Sequence, residues 1–295
     1  MKYQFIRQYS SVHCVQKMCR VLKVSRSGFY RWLTAKESRY TRENREILAE
    51  IRNLHAKPAM SSYGSPRMAA ELNDRGFVCS VPRVARIMKA HHIRSTIKPR
   101  FKTTTHSDHK KEKSPNLLQQ NFSSPLPNRH WVSDITYIWT FQGWLYLTIV
   151  LDLFHRKIVG WAMSDRLSTD VTTIAALEQA YQRERPEPGL IFHSDPGSQY
   201  ASDKFRALLS KYQMVQSMSG KGNCYDNAVA ESFFKTVKTE LIWQNSCKTR
   251  EETKRNLFEY IECHYNRNRK HSYLGYLSPE DFLLRTQIKL NQAIT

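Results

Sequence analysis

At Trp131 the pattern of this chain changes, and the change restricts the fold more than any other feature. Upstream, apolar residues recur at helical spacing. From Trp131 three runs, WVSDITYIW, WLYLTIVLDLF and KIVGWAM, are dense in β-branched and aromatic residues, as strands are. The FQGW loop between the first two predicts an antiparallel hairpin. SDRLSTDVTTIAALEQAYQRER reads as a helix with Val171, Ile174, Leu177 and Tyr181 on one side. GLIFHSD is a short buried strand ending at Pro196-Gly197, SDKFRALLSKY a helix capped by Ser202, and MVQSMS a fifth strand. NAVAESFFKTVKTELI is an amphipathic helix. Hairpins followed by helix–strand alternation predict an α/β domain, a mixed five-stranded sheet with helices outside.

Charge divides the chain at nearly the same place. Lys plus Arg is 46 and Asp plus Glu 26, a net +20, and +18 of it lies in residues 1–129. A half this basic attracts a polyanion and releases its condensed counterions, which favours nucleic acid over a merely solvated surface. An anionic membrane surface is the weaker rival, because no long basic amphipathic helix stands out. No run of 18 apolar residues exists, and MKYQFIRQYSSVHC has no apolar signal region, so the expected location is the cytoplasm. Cysteines at 14, 19, 79, 224, 247 and 263 form no CxxC pair, in keeping with reduced thiols.

The basic half contains two helix-turn-helix patterns. In SSVHCVQKMCRVLKVSRSGFYRWL, Val12, Val15, Met18, Cys19 and Leu22 recur at helical spacing. Ser25 then caps a short helix carrying Arg26, Arg31 and Trp32. SPRMAAELNDRGFVCSVPRVARIMKAH repeats the layout more clearly. Met68, Ala69 and Leu72 form a stripe, Gly76 ends the helix, and Ser80 with Pro82 opens the next. On that second helix Val84, Ile87 and Met88 face inward, while Arg83, Arg86 and Lys89 share an outward face suited to a DNA groove. A helical hairpin with a solvated basic face is the plainer alternative.

The resulting domain map is 1–42, helical and helix-turn-helix-like; 43–101, a helix-turn-helix DNA-binding domain; 102–128, a basic polar linker; 129–245, the α/β core; and 246–295, its C-terminal helical extension. In the linker, His106 and His109 have no cysteine pair nearby to complete a zinc site. The extension begins with a charged helix from about Arg250 to Tyr265. A basic, aromatic turn follows, with Tyr265, Arg267, Arg269, Lys270, His271 and Tyr273. It reads both as a cap on the core and as a DNA contact.

Three acids stand out. Asp134 sits inside an apolar strand, where a carboxylate is costly unless it is paired or metal-bound. Asp195 ends a strand, where α/β ligand sites are built. Glu231 lies early in a helix whose buried stripe is Ala230, Phe233, Phe234, Val237 and Leu241; Glu231, Lys235 and Lys238 form a stripe beside it. Three carboxylates from separate elements make a hard oxygen cage of the kind Mg²⁺ prefers, and two such ions suit phosphodiester chemistry. By residue type alone Asp152, also in a strand, competes for the same role.

The runs WVSDITYI, LDLFHRKIVGW, HSDPGSQYAS, SMSGKGNCYDNAVAESFFKTVKTE and YNRNRKHSYLGYLSPEDF occur in order. With them residues from about 44 to 285 closely resemble the second-frame product of the insertion sequence three family, transposases of the DDE superfamily. The element succession likewise resembles the ribonuclease H-like fold. Thirty-five residues separate Asp195 from Glu231, the spacing of this family and of retroviral integrases. Lys238 matches the family's basic residue seven positions beyond the glutamate. Pro196 departs from the pattern, since the family commonly has Gln or Arg there; a proline stiffens the turn and removes an N–H donor.

The resemblance implies a Mg²⁺-dependent DNA strand-transferase with two ions per site, Mn²⁺ substituting. Asp134, Asp195 and Glu231 are then both catalytic residues and metal ligands. Water frees a 3′-OH at the element's end, and that 3′-OH attacks a second phosphodiester in line. Lys238 and Lys235 are expected on DNA phosphate, and Asn223, Tyr225 and Asn227 in a loop that shapes the site or touches DNA. His193 is expected to pack rather than ligate. The implied partners are terminal inverted repeats and target DNA, further copies of the chain holding paired ends, and a first-frame protein. A hybrid nuclease on the same fold is disfavoured by the upstream helix-turn-helix patterns, and a tyrosine recombinase by the strand-rich middle. A non-catalytic DNA-binding descendant of a transposase is disfavoured by the intact acids.

Overall fold

A computed structural model describes residues 1–96, 114–220, 224–244 and 249–294. The chain divides into two compact units, Met1–Glu50 and Ile51–Thr295. In the first, α1 (Lys2–Gln8), α2 (Val15–Val21) and α3 (Arg26–Thr34) surround a small core of Ile6, Met18, Cys19 and Phe29, and α4 (Arg39–His55) begins. Ser25 caps α3 as expected, its hydroxyl accepting from the Gly28 N–H at 3.1 Å. Val12 departs from expectation. It lies in a turn before α2 and is 71% exposed, and Ile6 of α1 fills the core instead.

In the second unit α5 (Ser65–Asp74) and α6 (Val81–Ala90) form the expected helical hairpin. Met68, Ala69 and Leu72 are buried against Val84, Ile87 and Met88 on the inward side of α6. Gly76, at φ +87°, takes the left-handed conformation that lets the chain leave α5. Asn73 closes the turn. Its amide donates to the carbonyls of Ala69 and Cys79, and its oxygen accepts from the Cys79 N–H.

The sheet comprises β1 (His130–Thr140), β2 (Gly143–Asp152), β3 (Ile158–Ser164), β4 (Ile191–Ser194) and β5 (Val215–Met218), ordered β3-β2-β1-β4-β5. The first three strands are antiparallel, and β4 and β5 run parallel to β1. This is the ribonuclease H-like fold. Its strands alternate Val132, Ile138, Leu147, Ile149 and Leu151 to one face and Trp131, Val150 and Val159 to the other.

Helix α7 (Ala175–Glu184) covers the Trp131 face with α8 (Asp203–Lys211). The approach of α7 is close at Gly160 of β3, where a Cβ would stand 2.3 Å from the Ala176 carbonyl oxygen. The turn before α7, Asp170–Ile174, is widened to i→i+5 spacing, with the Ile174 N–H reaching the Thr169 carbonyl. Widening rotates the helix face, so Val171, expected on the buried stripe, is 44% exposed while Thr172 and Thr173 are buried.

Helix α9 (Ala228–Val237) lays Ala230, Phe233, Phe234 and Val237 on the other face, and a widened turn, Lys238–Ile242, prolongs it. Burying a phenylalanine contributes about 1.5–3 kcal/mol, enough to hold the helix on the sheet in spite of its polar flank. Helix α10 (Arg250–Phe258) runs on through a widened turn, Glu259–Tyr265, and adds Leu257, Tyr260, Ile261 and Tyr265 to that layer; α11 (Pro279–Ile294) closes the described chain. Residues 114–128 are polar but not loose against the core. Leu118 is buried in it, the Leu117 N–H donates to Ser217 Oγ, and the Phe122 carbonyl accepts from Arg156. No helix among the described residues is long and apolar enough to cross a membrane.

Candidate active site

Parallel pairing of β1 with β4 sets the first two acids side by side. Ser133 pairs with Ser194, and Asp134 and Asp195 are the next residue on each chain, on strands about 4.8 Å apart. Asp134 is still within β1, whereas Asp195 has just left β4. A turn then folds back on Asp195, and the Gly197 N–H donates to its Oδ1 at 3.1 Å. A Cβ at Gly197 would stand 2.9 Å from that oxygen, so a side chain there would displace the Asp195 carboxylate from this bond. The donor comes from position 197, so Pro196 withholds no N–H that this bond uses.

The third acid arrives on α9. The Asn227 side-chain amide, at the helix start, donates to the Ser133 carbonyl at 3.1 Å, one residue from Asp134. Glu231 is one turn further on and Lys238 two turns beyond that, along the same flank. Asp134 and Asp195 are half-buried, Glu231 is exposed and Lys238 is half-buried.

The four groups lie within electrostatic reach of one another. Burial pushes the Asp134 carboxyl well above the ordinary carboxylate range, and the negative charges of Asp195 and Glu231 push it further; the Ile135 N–H and Lys238 act against them. Glu231 is raised by burial and then by Asp195. Lys238 is lowered by burial and drawn back up by Asp134. The site therefore holds more negative charge than its one ammonium offsets, the condition that a cation relieves. No group of three His, Cys, Asp or Glu side chains among the described residues is arranged as a ready metal-binding set.

The neighbourhood is built from buried hydrogen bonds. His193 is enclosed between Ser217 (2.8 Å) and Ser219 (3.2 Å), and burial pushes it down to about 4. Tyr200, fully buried, shares a 2.7 Å bond with Ser133. Asp226 accepts from the Gly220 N–H and from Gln120, tying the end of β5 and the 114–128 segment to the start of α9. Asn223 lies outside the described residues, and of Tyr225 only the backbone is described.

Asp152 does not compete for the site. It pairs with Trp131 at the opposite end of β1 from the hairpin, fully buried, and accepts from the N–H groups of Asn128 (2.6 Å), Phe154 (2.7 Å) and the Trp131 indole (3.2 Å). Burial outweighs those donors and pushes it up to about 6. It is a junction that closes the β1, β2 and 114–128 segments together.

The residues expected on DNA separate into two groups. Arg26 and Arg31 are exposed on α3, Arg86 and Lys89 exposed on α6, Arg83 half-buried beside them, and Lys235 exposed on α9. The C-terminal basic turn is different. Arg269 is 5% exposed and forks onto Glu240, with Nε to Oε2 and Nη2 to Oε1 both 2.9 Å; Lys270 is ion-paired with Asp74. Arg267 remains exposed, 3.6 Å from Glu280, and the His271 ring meets Tyr265 edge-on. Arg269, expected on DNA, is thus turned inward because a buried acid takes its donors. That acid, Glu240, and its partners Ser62 and Arg67 were not among the expected site residues; nothing in the spacing around Glu240 marks it.

The HTH-like domain family matches residues 42–101, and the integrase core domain family matches 124–224 and 231–287. Over 283 residues the chain is 38% identical to the transposase InsF for insertion sequence IS3A of Escherichia coli (strain K12), covering 96% of this chain and 98% of that one. The chain belongs to the IS3 family of insertion-sequence transposases. Another relative, the uncharacterized 31 kDa protein of insertion element IS600 of Shigella sonnei, is 40% identical over 90% of this chain and 97% of its own length. Among solved structures, the HTLV-2 integrase catalytic core domain in complex with magnesium aligns with a TM-score of 0.41 at 15% identity, over 54% of this chain and 97% of that one. In this transposase Asp134 and Asp195 fall within the first integrase core match, and Glu231 opens the second.

Proposed function

We propose that this IS3-family transposase cuts DNA at the ends of its element and joins the freed 3′-OH to a second phosphodiester, with Asp134, Asp195 and Glu231 as metal ligands. The observation that carries the reading is the parallel pairing of β1 with β4, which sets Asp134 beside Asp195, together with the Asn227–Ser133 bond that ties the start of α9, and so Glu231, to the same strand. Mg²⁺ is the fitting cation, probed in the laboratory equally by Mn²⁺, and a pair of ions in the site suits the chemistry. When bound, the metal activates the attacking oxygen and stabilises the leaving one. The chain's own residues do the rest. Lys238 presents a point charge to a phosphate beside Asp134. Gly197 and Asn227 hold Asp195 and α9 in place, and the outward face of α6 grips duplex DNA through Arg83, Arg86 and Lys89. The partners are terminal inverted repeats, target DNA and further copies of the chain on paired ends, with a first-frame protein as an additional subunit.

The test is cleavage of a labelled duplex carrying the terminal repeat that flanks the gene, in Mg²⁺, by the parent and by Glu231→Gln. Loss of product with retained binding supports the reading; equal product from both proteins overturns the role of Glu231, and no product from the bound parent leaves a DNA-binding protein without this chemistry.

A further inference from the structure

Lys238 and Glu240 lie two residues apart on one widened helical turn, and so face nearly opposite directions. Lys238 looks to the carboxylate site. Glu240 looks to the helix-turn-helix segment. Its carboxylate is 3% exposed and saturated with donors. Oε1 accepts from Ser62 Oγ at 2.9 Å, Arg67 Nη1 at 3.3 Å and Arg269 Nη2 at 2.9 Å; Oε2 accepts from the Tyr260 hydroxyl at 2.6 Å and Arg269 Nε at 2.9 Å. Around it the same seam is stitched by Ser61 to Gln244 (2.8 Å), Gln244 to Thr96 (3.0 Å) and the Lys270 N–H to the Tyr63 hydroxyl (3.1 Å).

Burial alone would raise Glu240, but Arg269 and its other donors hold it below the ordinary carboxylate range, so it is a charged anchor in a dry place. Arg269 alone would neutralise it. Ser62 and Arg67 are surplus to that need, and both come from the segment that carries α5 and α6. A buried ion pair is weak evidence for stability, but a charge shared among three elements fixes their register.

We propose that Glu240 is a positioning residue that locks the helix-turn-helix segment to the helix carrying Glu231 and Lys238, so that the DNA register held by α6 determines which phosphodiester reaches the carboxylates. The proposal rests on the cleavage reading above and adds to it the origin of cut-site precision. DNA gripped through α6 is thereby referenced to α9 by a rigid path through α5, Arg67 and Glu240.

Glu240→Gln would leave Arg269 buried without its counter-charge, so the sharper variants cut the lock from the other side. Ser62→Ala/Arg67→Met leaves the Glu240–Arg269 pair in place, and Arg67→Lys is the conservative control. Each is compared with the parent on the terminal-repeat duplex at saturating protein, with products resolved to single nucleotides, and in parallel by amide hydrogen exchange of residues 228–237 with and without that duplex. The expected result is binding within about 2-fold of the parent, a cleavage rate reduced by about 10-fold or more, and cut positions spread to neighbouring phosphodiesters. Arg67→Lys restores the single cut. DNA-induced protection of α9 is present in the parent and lost in the double variant. A merely stabilising role would lower the melting temperature and leave the cut position unchanged. The same single product at the parent's rate from the double variant, or equal α9 protection in both proteins, overturns the proposal. A parent that binds but does not cut defeats the cleavage reading instead, and the exchange result then decides the lock.

Discussion

Two basic regions that read alike along the chain are opposites in space. Arg86 and Lys89 on α6 lie toward solvent with half-buried Arg83 beside them, whereas Arg269 and Lys270 in the C-terminal turn face inward onto Glu240 and Asp74. The difference is in the partners. The face of α6 is drawn by apolar spacing, with Val84, Ile87 and Met88 occupying the core side and leaving the cations outside. In the C-terminal turn, acids distant in sequence are waiting, and Tyr265 and Tyr273 pack with the Arg269 and Arg156 guanidinium groups, the latter at 4.0 Å. Positive charge on α6 is therefore placed as the proposed DNA contact requires, whereas positive charge in the turn holds the fold together.

The comparison breaks most sharply at Arg269. Arg269→Met strands a buried carboxylate, and chemical denaturation should show a loss of about 3–5 kcal/mol. Arg86→Ala on α6 should change stability by no more than about 0.5 kcal/mol. Next in size, replacing Arg83, Arg86 and Lys89 together by Ala should weaken duplex binding about 10–100-fold at moderate salt. It should also flatten the log Kd against log salt plot by about 0.9 for each phosphate that is no longer neutralised. An unchanged slope would remove α6 from the DNA interface.

A smaller effect comes from acid. His264, in the inward region, and His155, in the core, are each pushed down to about 4 by burial. Between about pH 6.5 and 4 the unfolded chain binds protons that the folded chain refuses, so stability falls as pH falls, by up to about 1.4 kcal/mol per pH unit for each group. His193, also pushed down to about 4, and His271, pushed well below the ordinary histidine range, act in the same direction; Asp152, pushed up to about 6, and the raised Asp134 and Glu231 have the opposite sign and offset part of the loss. The net expectation is a melting temperature that drops on acidification through this window, less steeply in His264→Gln. The smallest effect tests the carboxylate site. Asp134→Asn removes a charge that burial and two acids disfavour, and in metal-free neutral buffer it should stabilise the fold by about 1 kcal/mol. A loss of stability would mean that the charges do not strain one another.

What could be read in the sequence followed periodicity. The five strands, the α5–α6 hairpin and the α9 stripe are short-range patterns, and the structure contains them. Asp134 and Asp195 stood out as aspartates in or just beyond apolar strands, but so did Asp152, and only the family resemblance separated them. The adjacency of Asp134 and Asp195 was not legible, because it depends on β4 pairing parallel to β1 across about sixty residues. Val171 was misplaced because a widened turn changes the helical period without a mark in the residues. Glu240 was invisible for a related reason. A glutamate on a polar helix flank looks solvated until Ser62, Arg67 and Arg269, none of them its neighbours in sequence, enclose it.

The central claim is that three acids from separate elements hold one divalent-cation site. Titration of the metal-free protein with Mn²⁺, followed by electron paramagnetic resonance of the free ion, tests it most directly. The account predicts saturable binding by the parent that is lost in Asp195→Asn and weakened in Glu231→Gln. Parent-like Mn²⁺ binding by both variants, or none by the folded parent, would contradict it.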